Sequence, residues 1–216
     1  MTGFYDFFTS PSTIVKNICA LIRLINNMIM HNSKKPQKFD RKQLQVVNKA
    51  AEMAEELVSN YYKISASQWL RRRYDIKTLA DLSPDEIVSG PFAQIIRYKA
   101  QPKGSSLGSS TYDFYKICLQ DNSILSVIKK SPEIKLFPFS LYIITHELIH
   151  IIRFSDFLQN FNASDQERME EEARVHKNTH GILKSIKLYG LSTVLKYYDK
   201  WHISFDELQI DELQNH

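Results

Sequence analysis

Leu141-Tyr142-Ile143-Ile144-Thr145-His146-Glu147-Leu148-Ile149-His150-Ile151-Ile152 decides how this chain folds. Apolar residues surround the polar ones on every side, so a helix here has no face to give to water and must be buried nearly all round. Two histidines and a glutamate interrupt that surface in the pattern H-E-x-x-H. Residues four apart share one helix face, one turn above the other. Unpaired polar groups are costly to bury, and one metal ion between His146 and His150 satisfies both imidazoles. Glu147 then points at the ion's open position. A carboxylate there takes a proton from a water whose pKa zinc lowers to about 7.

A catalytic zinc site needs a third protein ligand. The following helix reads Met169-Glu170-Glu171-Glu172-Ala173-Arg174-Val175-His176. Its apolar side runs through Val175, Thr179, Ile182, Leu183 and Ile186, and Glu172 lies on that side, one turn before His176. Glu171 borders it and Glu170 points to solvent. Glu172 is therefore the expected third ligand, with Glu171 and His176 as rivals.

H-E-x-x-H followed by a glutamate on the next helix resembles the gluzincin branch of the zincin metallopeptidases. The resemblance covers His146, Glu147, His150 and Glu172, less than a quarter of the chain. Glu172-Ala173 fits the family's Glu-Ala pair. A carboxylate is usual one turn later, where this chain has His176. That departure leaves His176 as a partner to His146 or His150, a transition-state donor, or a rival ligand. The metzincin and deformylase patterns are absent. The resemblance implies Zn2+ as cofactor, a peptide or protein substrate, Glu147 and His176 as catalytic residues, and an antiparallel sheet before the motif helix. It also implies an edge strand that captures extended peptide, a place that Tyr112–Leu119 fills.

Each residue has a plainer reading. Without a metal, His146, Glu147 and His150 form a polar core network. Glu147-x-x-His150 also matches one element of a di-iron bundle, but no second Glu-x-x-His occurs. Glu172 within three glutamates suits a solvated helix face. His180 reads as a surface or core histidine. Arg153 reads first as an ion-pair partner for the acidic helix, and second as a contact for a substrate carboxylate.

Outward from this stretch, the first 90 or so residues read as helical. Ser10-Pro11 starts a helix with apolar spacing through Ile14, Ile18, Leu21, Ile25 and Met28. Its Ile14–Met30 run holds Lys16 and Arg23, too polar for a membrane span. Asp40 with Gln43 predicts a capping box, followed by a stripe through Leu44, Val47, Ala51, Ala54, Leu57 or Val58, and Tyr61. Ser65 or Ser67 caps a short helix holding Trp69. Phe92–Lys99 and Tyr112–Leu119 read as strands, joined by a Pro/Gly/Ser-rich loop at Gln101–Ser110. Ile124–Ile128 reads as a third strand or a short helix. Two long helices are expected at Leu141–Phe161 and Glu167–Tyr189, the second ended by Gly190. One more helix follows within Ser192–His216.

The 216 residues are 43% hydrophobic and 24% charged, with 6 glycines and 7 prolines. That suits a globular core and disfavours a turn-rich β-sandwich. A net charge of +4 and a pI near 8.9 do not demand a nucleic-acid partner, and Arg71-Arg72-Arg73 reads as a solvated face. Cys19 and Cys118 read as buried thiols in a reducing compartment. Met1–Ser10 lacks the basic start of a secretion signal, so a cytoplasmic protein is expected. The expectation is a mainly helical α+β protein: residues 1–90 a helical region and residues 91–216 a zincin-like metal-binding domain, packed as one unit. The expected function is a zinc-dependent hydrolase acting as a small metallopeptidase. The alternative is a non-catalytic regulatory or interaction protein that retains the site and uses the N-terminal helices as a working surface, as in a homodimer.

Overall fold

The computed structural model describes residues 36–100, 112–156 and 163–199. The first helix expected, the Gln101–Ser110 loop, Cys19 and the last seventeen or so residues lie outside them. In chain order the elements are α1 (Arg41–Tyr62), α2 (Ala66–Arg71), β1 (Tyr74–Lys77), a 3-10 turn (Pro84–Glu86), β2 (Ala93–Ala100), β3 (Tyr112–Leu119), α3 (Asp121–Lys130), α4 (Leu136–Ser155) and α5 (Asp165–Lys184). A sixth helix, α6, spans 191–199. The fold is a mainly helical α+β fold with a small three-stranded mixed sheet.

The caps fall where the side chains dictate. Asp40 accepts from the Gln43 amide while Gln43 returns a bond to Asp40, the reciprocal box that satisfies two orphan donors. Ser65 with Gln68 and Ser164 with Glu167 do the same for α2 and α5. The buried stripe of α1 is Val47, Ala50, Ala54 and Val58. It stops short of Tyr61, which is exposed. The stripe takes Ala50 rather than Ala51, and one turn after Val58 it reaches Tyr62, which packs against the core, before the helix ends at Lys63 in the left-handed region with φ of 58°.

Helix α4 is the centre of the molecule. From Pro138 to Arg153 every residue except Glu147 is buried. Five of those residues are isoleucine, whose β-branch favours strands; burial on all sides outweighs that preference. Phe137-Pro138 reads as punctuation in sequence, yet α4 begins before it. Pro138 is the third residue of the helix, in the first turn where its missing N–H has no intrahelical acceptor to lose. One apolar core joins α4 to Val47, Ala54 and Val58 of α1, Tyr115 and Ile117 of β3, Val175 and Leu183 of α5, and Val194 and Tyr198 of α6.

The sheet departs from expectation in two ways. Its order is β1-β3-β2, so Tyr112–Leu119 is the central strand and not an edge. β2 pairs with it antiparallel, Ala93 opposite Leu119 and Ala100 opposite Tyr112. β1 pairs with it in parallel, Tyr74 opposite Tyr115 and Lys77 opposite Cys118, and places a strand within the stretch expected to be helical. Four residues of mixed polarity, each half-buried, carry no periodicity of their own; pairing with β3 makes them a strand. Ile124–Ile128 lies in helix α3. α5 ends at Lys184, five residues before the expected stop. Gly190, with φ of 81°, opens α6 instead of closing α5.

Asp121, at the start of α3, ties three segments together. Its carboxylate accepts from the Phe39 amide at 2.8 Å and from the Leu79 amide at 3.0 Å. Burial pushes its pKa up against the pull of those bonds. Among the described residues no helix is long and apolar enough to cross a membrane.

Candidate metal centre

Helices α4 and α5 meet along a polar seam. Tyr142 near the start of α4 faces His176 on α5, His146 and His150 face Glu172, and Arg153 near the end of α4 faces Glu171. The order runs forward on α4 and backward on α5, so the helices are antiparallel there. On α4 these positions follow one another at intervals of four, four and three, which keeps them on one face.

The carboxylate of Glu172 spans the two motif histidines. Oε1 lies 3.3 Å from His146 Nε2 and Oε2 lies 3.1 Å from His150 Nε2. His176 Nε2 is 3.8 Å from the same Oε1. One ligand atom from each of His146, Glu172 and His176 lies within 4.8 Å of the other two. His146 Nε2 is buried and has no hydrogen-bond partner among the described residues, although the carboxylate is near. A buried lone donor or acceptor of this kind is costly, and a metal ion is one way to satisfy it. Tetrahedral zinc with bonds of about 2.0–2.1 Å separates its nitrogen and oxygen ligands by roughly 3.3 Å, close to the two histidine–carboxylate distances, which run to different oxygens of Glu172. Burial works to raise the Glu172 pKa, but the charges of His150 and His146 in their protonated, metal-free form outweigh it and hold the carboxyl well below the usual range; bound to a metal the imidazoles are neutral, and the cation takes over their part. The group is therefore an anion, as a ligand must be.

Glu147 is the exception to the burial of α4, and its carboxylate Oε1 is 3.5 Å from His146 Nδ1. That is the ring nitrogen opposite the one facing Glu172. Glu147 thus lies beside the ring nitrogen of His146 that faces away from Glu172. Acting as a base on a metal-bound water would require the side chain to turn away from that nitrogen. His176 is held from its own far side. The Tyr142 hydroxyl is 2.9 Å from His176 Nδ1, and Tyr142 stacks on Tyr198 with ring centroids 3.8 Å apart. Burial raises the pKa of both phenols, so both remain hydroxyls at neutral pH.

The three adjacent glutamates separate cleanly. Glu170 is exposed. Glu171 is buried and forms a two-pronged ion pair with Arg153, one prong Arg153 Nη2 to Glu171 Oε2 at 2.9 Å. Glu172 alone reaches the histidines. Arg153 is thus the ion-pair partner of the acidic helix. His180 stands apart from the cluster and lies 3.5 Å from Asp199. Arg72 pairs with Asp156 at 2.5 Å, which removes it from a basic surface patch. Cys118 is fully buried in β3, and burial pushes its thiol up to about 12; it is an inert core thiol.

Sequence reasoning missed Tyr142. Its only signal was a position four before His146, the same spacing that relates the two histidines. Compared with known proteins, the chain matches no family model, no curated protein and no solved structure.

Proposed function

We propose that this protein is a zinc-dependent hydrolase, a small metallopeptidase of gluzincin type. The observation that carries this reading is the Glu172 carboxylate lying between His146 Nε2 and His150 Nε2. The two motif histidines and a glutamate from the next helix make a His2Glu set of the kind catalytic zinc sites use. When bound, zinc polarises a scissile carbonyl and makes an adjacent water acidic. His146, His150 and Glu172 hold the ion. Glu147 takes the proton from the attacking water and passes it to the leaving amine, a step that needs it to leave His146 Nδ1. His176, oriented by Tyr142, faces Glu172 and steadies the oxyanion. The substrate is an extended peptide lying along an edge strand; β1 and β2 are the edges available. We place the protein in the cytoplasm.

Metal content by mass spectrometry, wild type beside His150→Ala, tests the site. About one zinc per chain, lost in the variant, is expected. Glu147→Gln is expected to keep zinc and to slow peptide hydrolysis by about 10²–10⁴-fold. A zinc-loaded Glu147→Gln protein that cleaves at the wild-type rate removes the mechanism.

One observation favours a second reading. A ligand atom of His176 lies within 4.8 Å of ligand atoms of His146 and Glu172, a group that does not include His150, so His176 is itself a candidate ligand beside the expected three. Four protein ligands leave no open position, which marks a structural metal in a regulatory or interaction protein. A cobalt-substituted protein whose visible spectrum ignores azide supports this second reading; a spectrum that shifts supports the hydrolase.

A further inference from the structure

Among the described residues, the half of α5 that carries Glu172 meets α4 through polar contacts alone, Glu171 with Arg153 and Glu172 with the two histidines. From Asp165 to Arg174 the one buried residue is Glu171; the apolar seam of the helix starts only at Val175. Glu171 is 6% exposed, and its partner Arg153 is 8% exposed. Arg153 donates through Nε to one carboxylate oxygen and through Nη2 to the other. Arg174 adds a longer contact, Nη1 to Glu171 Oε2 at 3.6 Å.

A buried ion pair adds little net stability over a well-packed apolar pair, because two charges lose their water. What the guanidinium fork adds is direction: two parallel bonds fix orientation as well as distance. The position of the pair makes direction matter. Arg153 is three residues beyond His150 on the same face of α4, and Glu171 adjoins Glu172 in sequence. Each residue of a helix is offset by about 100° from the next, so a small rotation of the first half of α5 swings Glu172 away from both histidines. The one large apolar side chain in that half, Met169, is only half-buried.

We propose that Arg153 and Glu171 are positioning residues for the metal: their two-pronged ion pair sets the rotation of α5 that holds the Glu172 carboxylate against His146 and His150. This inference rests on the metal reading above. It does not depend on whether the metal is catalytic or structural.

The test uses the full chain, stripped of metal and titrated with zinc against a competing chromophoric chelator. Thermal unfolding of the metal-free protein is followed in parallel. The variants are the apolar pair Arg153→Met with Glu171→Leu, and the single change Glu171→Gln. The double variant is expected to melt at or above the wild-type temperature, yet to bind zinc about 10–100-fold more weakly, the usual effect of losing a residue that orients a ligand. Glu171→Gln keeps the size of the side chain and loses the charged fork. It is expected to weaken zinc binding in the same direction, and it decides the matter if the double variant does not fold. Wild-type protein that binds zinc, beside variants that bind it equally well, overturns this inference and leaves the metal reading standing. Wild-type protein that takes up no zinc overturns both.

Discussion

The Tyr142 hydroxyl stands 2.9 Å from Nδ1 of His176, at the opposite end of the α4–α5 seam from the Arg153–Glu171 pair. Between these two contacts lie His146, His150 and Glu172. The candidate ligands are thus bracketed by a neutral hydrogen bond on one side and a charged one on the other. Both brackets join α4 to α5, so both helices must keep their register for the cluster to exist.

Tyr142→Phe removes the hydroxyl and leaves the stacked ring on Tyr198. The stability lost is expected to be about 1 kcal/mol, the net worth of one hydrogen bond. The larger effect falls on the imidazole, whose tautomer the hydroxyl sets. Nitrogen-detected NMR of His176 is expected to show one tautomer in the wild type and a mixture in the variant. A single unchanged tautomer in both would mean that another group orients the ring.

Glu172→Gln keeps the shape of the side chain and removes its charge. Zinc binding is expected to fall by at least 10-fold, because the anionic ligand is lost. Glu170→Gln, on the exposed face of the same helix, is expected to leave binding unchanged. Calorimetric titration of both variants checks this, and equal losses would move the effect from ligation to the general charge of α5.

Glu86 gives the fold a dependence on pH. It is 3% exposed. It accepts from Lys116 Nζ at 2.5 Å and from the Tyr98 hydroxyl at 2.8 Å. Burial alone would raise its pKa, but those bonds and the Ser83 amide lower it from 4.5 to about 2. A depressed carboxyl stabilises the fold above its unfolded pKa, and that contribution is lost as pH falls from about 4.5 toward 2. Over such a shift the contribution is on the order of 3 kcal/mol. Denaturant melts across that window are expected to lose stability faster for the wild type than for Glu86→Gln, which has no proton to gain.

Asp121→Ala strips the acceptor from two amides, Phe39 and Leu79. Orphaned buried donors cost about 1–3 kcal/mol each, so a loss of roughly 2–6 kcal/mol is expected in equilibrium unfolding. Asp121→Asn retains one acceptor oxygen and is expected to fall between the two. A change below about 0.5 kcal/mol for Asp121→Ala, the size of an ordinary surface substitution, would show that water replaces the carboxylate.

Gly190→Ala isolates a backbone effect. Its φ is 81°, and an added Cβ would meet Pro138 Cγ at 3.5 Å, an ordinary contact. The expected cost is therefore backbone strain alone, about 1–2 kcal/mol, read from the thermal midpoint.

Local chemistry was legible in the sequence because it is settled within a few residues. The caps at Asp40 and Ser65 need only a side chain and an amide three positions on. The burial of α4 follows from its composition, since no arrangement of Leu141–Ile152 offers a polar face. The pairing of His146 with His150 follows from the pitch of a helix, and the choice of Glu172 over Glu170 follows from its angle to Val175. Tertiary structure decided the rest. β1 is a strand only because β3 lies beside it, and β3 is central only because β1 fills its second edge; neither partner is near in sequence. Glu171 and Glu172 carry the same charge one residue apart. Which of them takes Arg153 and which faces the histidines depends on the rotation of α5 against α4. That rotation is set by contacts across the seam: the apolar spacing of α5 points to Glu172 and leaves Glu171 at the border, whereas the structure buries Glu171 and leaves Glu172 half-buried.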